Sequence, residues 1–272
     1  MDGPAAPVFT GAMHAPAPTV ALVVAHPDDD AYGIAGSVAL HDAEPGFRFV
    51  LVHATDGENG QIAPGVDVPD GDLGALRRAE CERAWRRHGT VPDRHDWLGH
   101  PDGGVAGLPV NLLRDQIAAV LRAERPDIVV TFGPDGITGH PDHIAVGAAT
   151  DEAFHLVRAE GGPGLRRLLH GALRDSVFAR YQRRRVEADL PAWDPTAIYH
   201  LRGVPDDLID VDVDTSAVAD RVVAGLREHR SQRHVIFQGS EEHWPRLVSR
   251  EYLVMAWPRR TGPVLTDIFD GR

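Results

Sequence analysis

The chain has 272 residues, with 40 Asp and Glu against 28 Lys and Arg, so its formal charge is −12. All 28 cations are arginine, because the sequence contains no lysine; this excludes Schiff-base, phosphate-loop and protein-kinase lysines. The acidic balance argues against nucleic acid and anionic membrane surfaces as partners. The lone cysteine, Cys81, excludes an internal disulfide and a cysteine-based zinc site, which leaves the 15 histidines as the feature to follow.

The domain organisation follows from length and loop composition. We predict one domain over residues 19–272, since α/β folds often exceed the usual length of about 150 residues per domain. Residues 1–18 are rich in Pro, Ala and Gly and predict a flexible leader without the features of a secretory signal. No apolar stretch approaches the roughly 18 residues of a membrane span, so we expect a cytoplasmic protein.

Strands and helices are predicted to alternate along the chain. In chain order the predicted elements are strand 19–25, helix 31–42, strand 47–53, helix 73–88, helix 111–124, strand 127–132, helix 143–158, strand 208–213, helix 215–229 and strand 251–256. The strands at 19–25 and 127–132 are mostly aliphatic, as in a parallel sheet that is buried on both faces. The pattern therefore predicts a three-layer, Rossmann-like α/β fold with a mostly parallel sheet.

Two similar polar motifs follow the two apolar strands. His26-Pro27-Asp28-Asp29-Asp30 ends the first, and a glycine-rich loop leads from the other to His140-Pro141-Asp142-His143. Taken alone, each His-Pro-Asp is typical of a turn whose Asp caps the next helix. Ligands of open α/β sheets bind beyond the carboxyl ends of the strands, where imidazole and carboxylate donors suit a zinc-class ion. Both motifs together predict a metal site.

Further motifs lie between these two, in a fixed order. They are Thr55-Asp56-Gly57-Glu58-Asn59-Gly60, then Arg77, Glu80 and Ala84 on one helix, then Leu98-Gly99-His100-Pro101-Asp102-Gly103. With the two His-Pro-Asp motifs, this series resembles the PIG-L (LmbE-like) zinc-dependent N-deacetylases over roughly residues 19–160. The chain lacks a G-x-S-x-G nucleophile elbow and a G-x-G-x-x-G after the first strand, which disfavours a serine hydrolase and a dinucleotide-binding protein.

The resemblance implies a role for each motif residue. It implies that His26, Asp29 and His143 hold the metal, which is Zn²⁺, with Fe²⁺ or another divalent ion as the alternative. It implies that Asp28 is the general base for a metal-activated water. By the same resemblance, His140 stabilises the oxyanion or acts as an acid, and Asp142 orients His140.

The resemblance also implies a substrate class. It is a small-molecule glucosaminide whose N-acetyl or other N-acyl amide is hydrolysed, with Arg77 and Asp102 binding sugar hydroxyls. A mycothiol-type conjugate amidase and a non-catalytic sugar- or metal-binding homologue remain alternatives. Residues 160–272 are expected to cap the site and to select the aglycone; they include Trp193, Trp244, Trp257 and the arginine run Arg183 to Arg185.

Two positions depart from the family pattern, and most other histidines carry no predicted role. Asp30 stands where the family most often has Glu, and Thr138 stands where some members have a Tyr that helps to polarise the carbonyl. Oxyanion stabilisation then relies on the metal and His140, or another group moves in. The remaining histidines are expected to be surface or core residues, except His100, which could line the pocket beside Asp102.

Overall fold

The computed structural model of the protein describes residues 18–236 and 244–271, so the predicted leader lies outside it except for its last residue. The strands are β1 (Thr19–Val24), β2 (Arg48–His53), β3 (Arg94–Trp97), β4 (Ile128–Phe132), β5 (Arg167–Ala172), β6 (Val211–Asp214) and β7 (Arg250–Trp257). The helices are α1 (Asp29–Gly33), α2 (Ala35–His41), α3 (Leu73–His88), α4 (Val110–Glu124), α5 (Gly136–Gly139), α6 (Pro141–Ala159), α7 (Asp175–Glu187), α8 (Ala219–Leu226), α9 (Arg233–Ile236) and α10 (Trp244–Leu247).

The seven strands form one sheet in the order β3-β2-β1-β4-β5-β7-β6. Strands β1 to β5 are parallel, whereas β7 runs antiparallel to both β5 and β6. The chain moves outward from β1 to β2 and β3, and then returns to place β4 on the other side of β1. This reversal creates a switch point at the carboxyl ends of β1 and β4, where a crevice opens for a ligand.

The core lies on both faces of the central strands. All but the first residue of β1 and β2, and every residue of β4, is buried. Helices α4 and α6 pack against each other, while α3 packs on α8, and Trp85 of α3 lies against Phe49 of β2 with ring centroids 4.6 Å apart. The mostly parallel sheet between two groups of helices confirms the predicted α/β class.

The predicted helix 31–42 is broken in two at Ile34, which has φ −139°. The break has a distant cause. Both carboxylate oxygens of Glu251 on β7 accept hydrogen bonds from the first turn of α2, at distances of 2.6 Å from Gly36 N and 3.0 Å from Ser37 N. A cap from another element starts a new helix here, so local periodicity could not predict the break.

Other differences are confined to short or polar elements. The predicted helix 215–229 is shortened to α8 because Ser216–Val218 forms a separate turn of 3₁₀ helix. Strands β3 and β5 and helix α7 were not predicted. Strand β3 has the sequence RHDW at the sheet edge, and such a short polar segment shows no alternation of apolar residues.

Candidate metal centre

The candidate centre lies at the switch point of the sheet, where β1 and β4 end. His26 follows β1 and Asp29 begins α1, while His143 lies in the first turn of α6, beyond the loop that follows β4. The neighbouring pairing of β1 and β4 brings these distant parts of the sequence together. All three side chains are about nine-tenths buried, so their donor atoms are held by surrounding structure.

His26, Asp29 and His143 form a compact triangle, in which the two imidazoles contact different oxygens of the Asp29 carboxylate. His143 Nε2 is 3.2 Å from His26 Nδ1 and 3.3 Å from Asp29 Oδ1, and His26 Nδ1 is 3.3 Å from Asp29 Oδ2. Ligands about 2.0–2.1 Å from a tetrahedral ion are separated from one another by about 3.3 Å. The two imidazole nitrogens therefore have the separation expected of two ligands of one tetrahedral ion, and each lies at a similar distance from one oxygen of Asp29.

Contacts outside the triangle fix the orientation of each donor. His143 Nδ1 donates to the Gly136 carbonyl at 3.0 Å, which leaves Nε2 as the lone-pair nitrogen facing the triangle. Asp29 Oδ2 accepts a hydrogen bond from His26 N at 2.8 Å. On the far side of its ring, His26 Nε2 lies 3.0 Å from Asp102 Oδ1. Histidine ligands commonly face a carbonyl or carboxylate in this way.

Opposite charges in and around the triangle shift the pKa values of its residues. Burial alone would lower the pKa of His26, but Asp102, Asp142 and Asp29 outweigh it and raise that pKa well above its usual value. Burial alone would raise the pKa of Asp29, but His143 and His26 lower it below its usual range. The cluster thus holds a charged carboxylate among imidazoles.

Asp28 is not part of this triangle and is held by Arg77. Its backbone has φ 104°, in the left-handed region that residues other than glycine rarely adopt. Arg77 Nη2 lies 3.3 Å from Asp28 Oδ2 and donates to the Pro27 carbonyl, and Nη1 donates to the Gly57 carbonyl at 2.8 Å. Burial raises the pKa of Asp28 to about 7, against the opposing effect of Arg77.

Asp30 is a buried hydrogen-bond acceptor that holds the backbone of the first His-Pro-Asp motif. Its Oδ1 accepts from Asp28 N at 3.0 Å and contacts His53 Nε2 at 3.2 Å, and its Oδ2 accepts from Trp85 Nε1 at 2.5 Å. The neighbouring histidines lower the pKa of Asp30 although burial opposes them. The Asp that replaces the family's Glu is therefore fully engaged, and it supports the backbone that carries Asp28.

His140 and Asp142 lie beside the triangle at the start of α6. The ring centroids of His140 and His26 are 4.7 Å apart, and His140 Nδ1 accepts from Asp142 N at 3.1 Å. The Asp142 carboxylate binds elsewhere: it accepts from Gly103 N at 2.8 Å and lies 3.5 Å from His26 Nε2. Any orientation of His140 by Asp142 in this arrangement comes from the backbone N–H.

The two residues predicted to bind sugar hydroxyls are close to the centre but buried. Arg77 is 4% exposed, and its Nε has no hydrogen-bond partner among the described residues. The side chain of Asp102 is 9% exposed, and its Oδ2 accepts from Asn59 N at 3.1 Å. His100, considered as a lining residue, instead contacts Gln116 Oε1 through Nε2 at 2.6 Å.

Some contacts could not be inferred from the sequence. His53 Nδ1 lies 2.9 Å from His95 Nε2, and Cys81 lies near enough for the three to form a second cluster of metal-ligand residue types. Tyr199 packs edge-on against His140, with ring centroids 5.1 Å apart. No motif or spacing signals these pairs, because each joins elements that are distant along the chain. His243, one of the histidines without a predicted role, lies outside the described residues.

The fold and this cluster define an α/β protein with a candidate metal-dependent hydrolytic centre. A family model described as GlcNAc-PI de-N-acetylase (PIG-L) matches residues 21–154. A 1D-myo-inositol 2-acetamido-2-deoxy-alpha-D-glucopyranoside deacetylase of Thermobifida fusca is 31% identical over 237 residues, which cover 78% of this chain and 82% of that protein. The chain belongs to the PIG-L family, as its motifs predicted.

Solved structures confirm the fold over most of the chain. A conserved protein of Thermus thermophilus is 26% identical with a TM-score of 0.59, covering 90% of this chain and 97% of that one. The 4-carboxy-2-hydroxymuconate hydratase of Pseudomonas putida has a TM-score of 0.63 at 18% identity, covering 90% and 99%. Because this fold also carries a hydratase, the reaction has to be argued from the site. Among the described residues, no helix has the length and apolar character needed to cross a membrane.

Proposed function

We propose that the protein is a metal-dependent N-deacetylase, which hydrolyses the N-acetyl amide of a glucosamine-containing glycoside. One observation carries the proposal: His26 Nδ1 and His143 Nε2 lie 3.2 Å apart, each lies 3.3 Å from one oxygen of Asp29, and a further carboxylate, Asp28, is adjacent in the chain but is not part of this group. Membership of a de-N-acetylase family, and a relative named for deacetylating a glucosaminide, support the same reaction.

The proposed metal ligands are His26, Asp29 and His143, and the proposed ion is Zn²⁺. Two imidazole nitrogens and one carboxylate are a common catalytic zinc set, which leaves a further coordination position open. The same donors bind Fe²⁺, so metal availability also decides occupancy. When bound, the ion would supply Lewis-acid polarisation of the amide carbonyl and would lower the pKa of water.

Asp28 is proposed to move the proton. Attack of the water oxygen on the amide carbon forms the C–O bond, and Asp28 accepts the proton that is lost. Breakage of the C–N bond then needs a proton on the leaving nitrogen, which Asp28 returns, so that acetate and the free amine are formed. Arg77 keeps the Asp28 carboxylate in place through its 3.3 Å contact.

His140 is proposed to stabilise the oxyanion. Its Nδ1 accepts a hydrogen bond from Asp142 N, so the hydrogen of the neutral ring lies on Nε2. An Nε2–H group can donate to the negative oxygen of the tetrahedral intermediate. Asp142 is thus proposed to set the tautomer of His140 through its backbone.

Arg77 and Asp102 are proposed to bind the sugar. Arg77 Nε lacks a partner among the described residues, and each carboxylate oxygen of Asp102 keeps a second lone pair beside its present contact. Both groups lie within reach of the residues that flank the triangle, since Arg77 contacts Asp28 and Asp102 contacts His26.

The test is acetate release from N-acetylglucosaminides by the protein loaded with zinc or iron. We expect Asp28→Asn to lower kcat by about 100- to 10,000-fold, the usual contribution of a general base, with metal content unchanged. Asp67→Asn removes an exposed carboxylate of the 60–72 loop and serves as the matched control. A wild-type protein that binds metal and sugar yet releases no acetate contradicts the proposal, and release of larger acyl groups alone points to the conjugate amidase.

A further inference from the structure

A groove of about 340 Å³ is formed by the segment that follows α7. Its walls include Pro191, Trp193, Ile198 and Tyr199. The volume falls at the lower end of the range of small-molecule sites, about 300–1,000 Å³. The groove thus has room for a single ring or a short chain.

The groove adjoins the candidate catalytic centre through one of its walls, Tyr199. Tyr199 forms part of its wall and also packs edge-on against His140, at a centroid distance of 5.1 Å and an interplanar angle of 78°. Two backbone hydrogen bonds attach this wall to the loop before His140: Tyr199 N donates to the Thr138 carbonyl at 2.9 Å, and Arg202 N donates to the Ile137 carbonyl at 2.8 Å. A substituent of the sugar that extends past His140 towards Tyr199 would therefore enter the groove.

The backbone at Tyr199, whose side chain lies between the groove and His140, is strained. Its φ is 66°, which is unfavourable for a bulky side chain and persists only where surrounding contacts impose it. Among the described residues, Tyr199 as a whole is nevertheless 69% exposed, and the neighbouring Ile198 is 49% exposed. An apolar surface held out to solvent beside a catalytic centre is expected to bind an apolar group.

Trp193, which also lines the groove, is held in a fixed position. Its backbone N donates to Gln182 Oε1 at 2.8 Å, and its carbonyl accepts from Gln182 Nε2 at 2.7 Å. The ring stacks with Phe178, and the Arg185 guanidinium lies 4.2 Å from its centroid. A fixed aromatic ring binds a flat partner at little cost in conformational entropy.

Polar atoms of Arg185 and His200, which line the groove, are engaged within the protein. Arg185 Nε donates to the Pro191 carbonyl at 3.0 Å, and His200 Nδ1 accepts from Asp194 N at 2.8 Å. A polyhydroxylated aglycone would lose hydrogen bonds to water on entering and would gain few in return. A flat apolar aglycone has no such cost.

We infer that this groove is the aglycone subsite and that it selects a flat, apolar aglycone, such as an aryl ring, over a polyol. The inference rests on the proposed deacetylase function and names its substrate class. It gives the segment after α7 a defined part in recognition, with Trp193 as an aromatic wall of the subsite and Tyr199 between the aglycone and His140.

The test compares three α-glycosides of N-acetylglucosamine that differ only in the aglycone: phenyl, methyl and myo-inositol. We expect kcat/KM for the phenyl glycoside to exceed both of the others at least tenfold. Binding of the phenyl and methyl α-glucosaminides, which lack the acetyl group, is measured by calorimetry in parallel. Equal or greater kcat/KM for the inositol glycoside overturns the inference.

Variants locate the preference in the groove. Trp193→Ala is expected to lower the phenyl-to-methyl ratio of kcat/KM at least fivefold, because it removes an aromatic wall of the groove. Tyr199→Ala is a second, independent test should loss of Trp193 impair folding. Arg158→Ala is the control and should leave the ratio unchanged, because Arg158 lies 3.9 Å over another tryptophan, Trp257, away from the groove.

These outcomes separate the inference from the function. A smaller fall in the ratio in the folded variants overturns the aglycone subsite while leaving deacetylation intact. Acetate release from none of the three glycosides instead contradicts the proposed function, and calorimetric binding that is stronger for the phenyl than for the methyl glucosaminide would still support the groove.

Discussion

At the scale of the residue, two adjacent aspartates of the first motif face different partners. Asp29 points at His26 and His143, whereas Asp28 points at Arg77. The left-handed φ of 104° at Asp28 separates the two side chains, and strain of this kind is typical of sites where function fixes the backbone. One carboxylate is thereby available to a metal and the other to a proton.

His143→Ala is expected to remove the metal. The substitution deletes one of three proposed donors, so metal content after dialysis should fall below about one-tenth of the wild-type value, in line with the large loss expected for a missing ligand. The measurement is metal analysis of the dialysed protein. His155→Ala, an exposed histidine of the same helix, is the control; equal metal retention by the two variants would contradict the ligand assignment.

Arg77→Ala is expected to reduce stability as well as activity. It leaves the Pro27 and Gly57 carbonyls without their donor, and an unsatisfied buried group costs about 1–3 kcal/mol. Urea denaturation measures the free energy of unfolding. Arg78→Ala, which removes a neighbouring side chain that is 42% exposed, should change it by less than about 0.5 kcal/mol. An increase in KM without loss of stability would indicate that Arg77 serves only the substrate.

At the scale of the element, the position of α2 depends on the antiparallel strand β7. Glu251 of β7 caps α2 through Gly36 N, Ser37 N and Ser37 Oγ. This contact links the far side of the sheet to the helix pair that begins with Asp29. The last strand of the chain therefore helps to hold the first motif in place.

Gly36→Ala is expected to destabilise the protein by about 1–3 kcal/mol, as overpacking does. A Cβ at this position would lie 2.5 Å from Thr215 Cγ2 and 2.8 Å from Glu251 Oε1. Gly107→Ala is the control, because a Cβ there meets nothing within 4 Å. Thermal or urea unfolding of both variants tests the prediction, and equal stability would show that Glu251 can move aside without cost.

At the scale of the whole molecule, several histidines are buried as neutral rings. Burial lowers the pKa of His88 and of His229 to about 4 in each case. Asp30 opposes this shift at His229, while Arg77 and His88 add to it, and neither ring nitrogen of His229 has a partner among the described residues. Their protonation therefore accompanies unfolding.

Stability is expected to fall as the pH decreases from about 6.5 to 4. In this window the unfolded chain binds protons that the folded chain excludes, so each such histidine lowers the free energy of unfolding by about 1.4 kcal/mol per pH unit at most. Urea denaturation of the metal-free protein at pH 7.5 and 5 measures the effect. His229→Leu should reduce the slope, whereas His155→Leu should not; equal slopes would contradict the role of burial.

The parallel α/β fold and the two His-Pro-Asp motifs, which contain the proposed metal ligands, could be predicted from the sequence alone. Apolar runs such as residues 127–132 and the His-Pro-Asp motifs are local signals, so strand ends and their polar residues could be predicted together. The parallel sheet then required the two motifs to meet, because carboxyl ends of neighbouring parallel strands share an edge.

The contacts that hold the residues of the centre in place depend on tertiary packing and could not be predicted from the sequence. The contacts of Asp102 with His26, of Arg77 with the Pro27 carbonyl, and of Tyr199 with His140 join residues that are far apart in the sequence. Their distances depend on how rigid elements pack, and no local propensity encodes such packing. For the same reason the break at Ile34, imposed by Glu251, and the groove beside His140 became visible only once the chain was folded.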